Sequence, residues 1–381
     1  MKKILSIIGT RPDAIKMVPV IKGIESRKDI FKSIVVVTAQ HRQLLDQVLQ
    51  VFSIAPDIDL NVMEEAQDLY YITTRILTEL KSILRNEKPD LVLVQGDTTT
   101  TFVGALAAFY EKIPIGHIEA GLRSHNKYSP YPEEMNRKFT DTISDLLFAP
   151  TQIAKSNLLR EGVLEEKIWI TGNTAIDALF MGLSMDYRFE DRRLRDIVES
   201  GKQFILVTAH RRESFDVPLN NICTALLEIK DKFSDIEIIY SVHPNPNVKI
   251  PVHKILGKSQ GIYLIEPPDY LCFINLMKHA KLILTDSGGM QEEAPSLNKP
   301  VLVLREVTER VEGINTGSAI LVGTDKQKIV SETIALLTDK DKYGRMSNLP
   351  NPYGDGKASE RIINSILKFF GLYSQKDGNF E

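Results

Sequence analysis

Short apolar runs recur along the chain, each closed by a glycine or polar turn. Most are followed by residues with apolar positions at helical spacing. Lys3–Ile8 reads as a buried strand, and Gly9-Thr10-Arg11-Pro12 turns it into a helix with Pro12 near the first helical position. Ser33–Thr38 is the next strand. Leu69, Ile72, Ile76, Leu80, Ile83 and Leu84 predict a helix over Asp68–Asn86. Leu91–Gln95 is a strand, Thr99–Lys112 a helix, and Ile115–Glu119 another strand. Such βαβα alternation implies a parallel sheet covered on both faces.

The alternation pauses in the charged stretch Gly182–Gly201. It resumes with strand Phe204–Thr208, helix Leu219–Phe233 and strands Glu237–Val242, Leu282–Thr285 and Val301–Leu304. Two α/β domains are expected, over 1–172 and 173–357, with a boundary inside Thr171–Gly201. The last helix, Ala358–Phe370, follows the turn-rich Asn351–Gly356, and the stretch 358–381 is assigned to the first domain. Doubly wound domains facing across a cleft place ligands at the C-terminal ends of their strands. Candidate chemistry is therefore sought just after each strand.

A chain of 381 residues suits two α/β domains, and 43% hydrophobic with 25% charged residues is the balance of a soluble globular protein. A net charge of −3 gives no broad basic field for nucleic acid or an anionic membrane. Cys223 and Cys272 are the two cysteines, which suits a reducing compartment rather than a disulfide framework. No CxxC or HExxH motif supports zinc. The apolar part of Met1–Pro12 is too short for a signal peptide, and no segment reaches bilayer-spanning length. A cytoplasmic protein with no metal is expected.

Leu282–Pro295 shows the strongest local pattern: a strand, the turn Ser287-Gly288-Gly289, and a helix from Met290 with Glu292 and Glu293 in its first turn. Backbone N–H groups at such a turn suit phosphate, and glycine permits close approach. Glu293 suits ribose hydroxyls. The alternative is an ordinary strand–helix turn. Asp97, after Leu91–Gln95, reads either as a helix cap worth about 0.5–2 kcal/mol or as an active-site carboxylate. Glu119 either faces a cleft or pairs with Arg123. Glu133 and Glu134 follow Pro132 at a helix head, where they suit the dipole, and Arg137 stands four residues from Glu133 and suits an ion pair. His210-Arg211-Arg212 suits a pyrophosphate. His243 follows the next strand in a proline-fixed loop, while Arg11 and Lys16 bring positive charge to the first strand–helix turn. Placement alone suggests proton transfer in the first domain and a diphosphate in the second.

These residues fall in motifs that resemble the non-hydrolysing UDP-N-acetylglucosamine 2-epimerases. The resemblance rests on GTRPDAIKM (Gly9–Met17), TAQHRQLLDQV (Thr38–Val48), VQGDTTTT (Val94–Thr101), GHIEAGLRS (Gly116–Ser124) and PYPEEMNR (Pro130–Arg137). It continues through TGNTAIDAL (Thr171–Leu179), HRRESF (His210–Phe215), VHPNPNV (Val242–Val248), TDSGGMQEEAPSLNKPVLVLR (Thr285–Arg305) and NPYGDG (Asn351–Gly356). It implies two Rossmann-like domains of the GT-B type with the active site between them. It further implies reversible conversion of UDP-GlcNAc to UDP-ManNAc through loss and re-addition of UDP at a 2-acetamidoglucal, without nicotinamide or essential metal. The family's catalytic groups fall on Asp97, Glu119, Glu133 and His210. Its nucleotide contacts fall on Arg11, Ser287, Gly288, Gly289 and Glu293, with Lys16, Arg137 and His243 lining the cleft.

A second, activating UDP-GlcNAc site in many members matches Gln40, His41 and Gln43, although an arginine that some members carry just before Gln67 is Ala66 here. The usual glutamate after Gly-Thr-Arg-Pro is Asp13, and the proline common after Thr308-Glu309-Arg310 is Val311. Relatives are commonly homodimers in polysaccharide or teichoic acid routes. Competing readings are a hydrolysing relative that releases UDP and free ManNAc, a catalytically silent sugar-nucleotide-binding protein, and a GT-B glycosyltransferase. The carboxylates of the first domain argue against the last two.

Overall fold

A computed structural model describes residues 1–38, 42–62 and 68–373, with backbone alone at 42–44. The chain divides into two compact units, Met1–Met181 with Tyr353–Glu381, and Gly182–Pro352.

In the first unit, strands β1 (Lys2–Ile8), β2 (Phe31–Val37), β3 (Ile58–Asp59), β4 (Leu91–Gln95), β5 (Ile115–Ile118), β6 (Leu146–Ala149) and β7 (Ile168–Ile170) form one parallel sheet. Its order is β3-β2-β1-β4-β5-β6-β7. Helices α1 (Arg11–Glu25), α2 (Arg42–Val51), α3 (Leu69–Glu87), α4 (Thr99–Tyr110), α5 (Glu133–Ile143) and α6 (Gln152–Arg160) connect the strands, and α7 (Thr174–Leu183) follows β7 and runs to the boundary with the second unit. Every residue of β4 is buried, as a strand covered on both faces requires. Helix starts follow the side-chain chemistry. Thr10 and Asp13 close a capping box on α1, Asp68 accepts Tyr71 N–H on α3 at 2.8 Å, and Thr98 caps α4. The C-terminal helix, Ala358–Phe369, belongs to this unit. It buries Ile362, Ile363, Ile366 and Leu367, and Ile363 reaches to 3.1 Å from where a Cβ on Gly23 of α1 would stand.

The second unit repeats the plan. Helices α8 (Arg192–Glu199), α9 (Val217–Lys232), α10 (Pro246–Leu256), α11 (Tyr270–His279), α12 (Gly288–Glu293), α13 (Val311–Thr316), α14 (Lys326–Thr338) and α15 (Lys340–Ser347) surround a parallel sheet. The strands are β8 (Phe204–Thr208), β9 (Glu237–Ser241), β10 (Ile262–Ile265), β11 (Leu282–Thr285), β12 (Val301–Val303) and β13 (Ala319–Leu321), in the order β10-β9-β8-β11-β12-β13. The charged stretch that read as a pause holds α8, which buries little more than Leu194 and Ile197 and so shows few apolar positions.

In both sheets the order reverses once, between β1 and β4 and between β8 and β11. At such a switch point the connections leave in opposite directions and open a crevice beyond the strand ends. Gly9–Arg11 and Gly96–Asp97 occupy that place in the first unit, and Ala209–Arg211 and Asp286–Gly289 occupy it in the second.

Candidate active site

In the first unit, Glu119 follows β5 in a left-handed conformation, with φ of +70°. Such a backbone costs a non-glycine residue about 1–3 kcal/mol and persists where surrounding bonds over-determine it. Those bonds are present. Lys16 Nζ of α1 and Asn173 Nδ2 (3.1 Å) both reach Oε1, and Gln95 Nε2 donates to Oε2 at 2.5 Å. Both oxygens accept, one from an ammonium, so this buried group bonds fully only as the carboxylate. Glu119 does not pair with Arg123 as their spacing suggested. Arg123 bonds Asp141 and Glu161 instead, at 2.6 and 2.7 Å.

Asp97 is not the cap of α4, since Thr98 takes that role. Its Oδ2 accepts Arg137 Nη2 at 2.7 Å and Nε at 3.1 Å, and Asn136 Nδ2 donates to its carbonyl oxygen at 2.9 Å. Among the described residues its Oδ1 takes no hydrogen bond. Arg137 pairs with Glu134 (2.9 Å), not with Glu133. Glu134 turns inward to accept Ser124 and His125 N–H. Glu133 is left with a buried Oε2 that has no partner among the described residues. Helix α5 thus delivers Asn136 and Arg137 to Asp97, with Glu133 three and four residues before them on the same helix. Gly96, at φ +75°, separates the two strand-end carboxylates: a Cβ there would stand 3.7 Å from Glu119 Oε2.

Beneath this layer lies Asp13. It accepts Thr10 N–H (3.0 Å) and Thr98 Oγ1–H (3.2 Å), tying the α1 turn to the Asp97 turn. Burial pushes its carboxyl up to about 7, with the charge of Asp97 adding and the bonds from Thr10 and Thr98 opposing. A broad open depression of about 900 Å³, lined by Phe109, Tyr110 and Lys112 among others, lies at the opposite end of β5 from these carboxylates.

In the second unit, Asp286 is fully buried at the end of β11. Its Oδ2 accepts the backbone N–H of His210 (2.6 Å) and Arg211 (2.7 Å), and its Oδ1 lies 3.4 Å from His210 Nδ1. His210 stacks on His243 with centroids 5.4 Å apart and planes at 13°. Asn245 N–H donates to His243 Nδ1, so that nitrogen carries no proton. Helix α12 begins at Gly288, not Met290, and has six residues, so Glu292 and Glu293 stand in its last turn. Arg310 donates to Glu292 at 2.9 Å, and its guanidinium lies 3.1 Å from a Cβ built on Gly288, while Gly289 faces open space. Glu309 bridges Arg305 and Arg310. Burial opposes its charge, yet the two guanidiniums hold its carboxyl at about 2.

Gln40, His41, Ala66 and Gln67 lie outside the described residues, and of Gln43 only the backbone in α2 is described. Gln95, His117, Asn136, Asp141, Asn173, Asp286 and Arg310 were not singled out from sequence. A signal existed for Gln95, His117 and Asp286: each is a polar residue inside or closing an apolar buried strand. No cluster of three His, Cys, Asp or Glu among the described residues has the geometry to hold a metal ion, and no described helix is long and apolar enough to cross a membrane.

The model of the family described as UDP-N-acetylglucosamine 2-epimerase matches residues 24–367. The UDP-N-acetylglucosamine 2-epimerase of Escherichia coli K12 is 52% identical over 371 residues, covering 96% of this chain and 98% of that protein. Among solved structures, the Staphylococcus aureus MnaA–UDP co-structure is 49% identical with a TM-score of 0.89, covering all of both chains. The Neisseria meningitidis UDP-GlcNAc 2-epimerase bound to UDP-GlcNAc is 46% identical with a TM-score of 0.88, covering 96% of this chain and all of the other.

Proposed function

The chain belongs to the UDP-N-acetylglucosamine 2-epimerase family, and on that premise we propose that it interconverts UDP-GlcNAc and UDP-ManNAc without hydrolysis. UDP leaves C1 with the bonding electrons of the C1–O bond while the C2 proton passes to a carboxylate, which leaves 2-acetamidoglucal. UDP then re-adds, and C2 is protonated on its other face. The C2 proton is not next to a carbonyl, so positive charge at C1 has to develop before or as it leaves. A well-held diphosphate and nearby carboxylates meet that demand.

One observation carries this reading: the three carboxylates of the first unit stand in different bonding states. Glu119 has both oxygens taken, by Lys16 and Asn173 and by Gln95. It serves as a fixed anion for the charge developing at C1. Asp97 and Glu133 each keep an oxygen without a partner among the described residues. They serve as the acid and base that inversion requires on the two faces of C2.

The second unit holds UDP. His210 and His243 face the diphosphate, and Ser287, Gly288 and Gly289 offer it backbone N–H groups. Glu293 takes the ribose hydroxyls, and Arg11, Lys16 and Arg137 supply positive charge around the sugar diphosphate. The same family resemblance supports a cytoplasmic homodimer in a surface-polysaccharide route, with an activating UDP-GlcNAc site at Gln40, His41 and Gln43.

The test is proton NMR of the purified protein with UDP-GlcNAc in D₂O and no added cofactor. UDP-ManNAc carrying deuterium at C2 is the expected product. Free ManNAc with UDP as the main product would move the assignment to the hydrolysing reaction. Nucleotide line broadening without turnover would move it to a binding protein.

A further inference from the structure

A buried ionic network that the proposed chemistry does not use stands behind the carboxylates of the first unit. His117, in the middle of β5, is fully buried. Its Nε2 is 2.8 Å from the carbonyl oxygen of Gly96 and its Nδ1 is 2.6 Å from Oδ1 of Asp141. A carbonyl oxygen only accepts, so Nε2 carries a proton. Asp141 also accepts Arg123 Nη2 (2.6 Å) and Gly121 N–H (3.2 Å) on its other oxygen. The Arg123 guanidinium keeps Asp141 a carboxylate and shares its Oδ2 with Gly121 N–H, so Oδ1 is an acceptor too and Nδ1 also donates.

The ring thus completes its bonds only as an imidazolium. The surrounding charges balance it: His117 and Arg123 face Asp141 and Glu161, with Lys138 3.5 Å from Glu161 at the rim. Glu119 follows on the same strand, Asp97 on the neighbouring β4 turn, and Arg137 one turn before Asp141 on α5.

The bond to Gly96 ends at a consequential peptide. Gly96 immediately precedes Asp97, and a Cβ built on it would stand 3.7 Å from Glu119 Oε2. Asn136 holds the next carbonyl, and Thr101 Oγ1 donates to the preceding one, that of Gln95. We propose that His117, as a buried imidazolium, is a positioning residue that fixes the Gly96 peptide and so sets Asp97 relative to Glu119 for proton transfer at C2. This rests on the epimerase reading above.

Two substitutions separate the ring's two bonds. The amide of His117→Gln reaches the Nε2 place and keeps a donor for Gly96. The amide of His117→Asn reaches the Nδ1 place and keeps a donor for Asp141 alone. Turnover and KM for UDP-GlcNAc are measured beside thermal unfolding. The glutamine variant is expected within about 10-fold of wild-type kcat. The asparagine variant is expected to lose about 10²-fold in kcat with KM changed less than about threefold, the scale of a small misplacement of reacting groups. Equal losses, or full turnover in the asparagine variant, would overturn the proposal.

Should both variants fail to fold, nitrogen-15 spectra of the wild-type rings at about pH 7.5 decide it. The slowly exchanging, buried ring is expected with protons on both nitrogens, and a neutral ring would overturn the proposal. Absence of C2 exchange in the wild type would instead sink the epimerase reading, leaving the ring spectrum to judge His117.

Discussion

Arg137 spends two nitrogens on one oxygen of Asp97, Nη2 at 2.7 Å and Nε at 3.1 Å, and its third on Glu134 at 2.9 Å. Glu134 is itself held: burial opposes its charge, but the N–H groups of Ser124 and His125 and the guanidinium keep its carboxyl below the usual range. The guanidinium therefore aims Asp97 and leaves its other oxygen without a partner among the described residues. Arg137→Lys keeps the charge and loses the fork. Turnover is expected to fall about 10- to 100-fold, with UDP affinity from calorimetry little changed. Full turnover in this variant would show that Asp97 needs no such aiming.

The bonding difference among the carboxylates separates their variants. Asp97→Asn and Glu133→Gln are expected to cut C2 deuterium exchange at least about 10²-fold while UDP still binds. Glu119→Gln should lose a similar factor and also lower the melting temperature. Lys16, with 14% of its side chain exposed, then faces an amide where it had an anion. Undiminished exchange in Asp97→Asn or Glu133→Gln would remove that residue from the acid–base pair. An unchanged melting temperature in Glu119→Gln would show that the Lys16 pair is not structural.

Asp13 makes stability depend on pH in a stated direction. Its folded value of about 7 stands above the ordinary carboxylate value of about 3.9. The folded state thus keeps a proton that the unfolded chain releases between about pH 4 and 7. Stability from that proton is complete below about pH 4 and is lost as pH rises through about 7. Asp13→Asn keeps an acceptor for Thr10 and Thr98 without the charge. Its melting temperature should therefore gain on the wild type from about pH 4 to about 7. A difference that stays constant with pH would show that Asp13 does not carry this proton.

Glu293 is 9% exposed on α12, after the Ser287–Gly289 turn. Two hydrogen bonds from ribose hydroxyls to a carboxylate suggest that Glu293→Ala weakens UDP binding about 10-fold or more. Titration calorimetry with UDP measures this directly, and unchanged affinity would move the ribose elsewhere.

The strands that carry the site were legible because burial on both faces leaves a run such as Leu91–Gln95 or Phe204–Thr208 without polar alternation. Partner choice was not. Glu119 and Arg123 stand close in sequence, but left-handed turns at Glu119 (φ +70°) and Gly121 (φ +85°) redirect the chain between them. Glu119 goes to Lys16 on α1 and Arg123 to Asp141 on α5. Arg137 has acids both three and four residues before it, and only the inward turn of Glu134 decides between them. Buried organisers such as His117 and Asp286 stand out locally as polar residues in or closing an apolar strand, but their roles were not legible, because their partners come from strands and helices distant in the chain.

The C-terminal helix gives the first unit an unusual birth order. Its core is opened by β1 and α1 and closed by Ile362, Ile363, Ile366 and Leu367, while all of Gly182–Pro352 is synthesised in between. During translation the second unit has its whole sequence first, while α1 waits with an apolar flank uncovered. A ribosome stalled before residue 358 would hold a finished second unit joined to an unfinished first unit, the kind of intermediate that chaperones recognise.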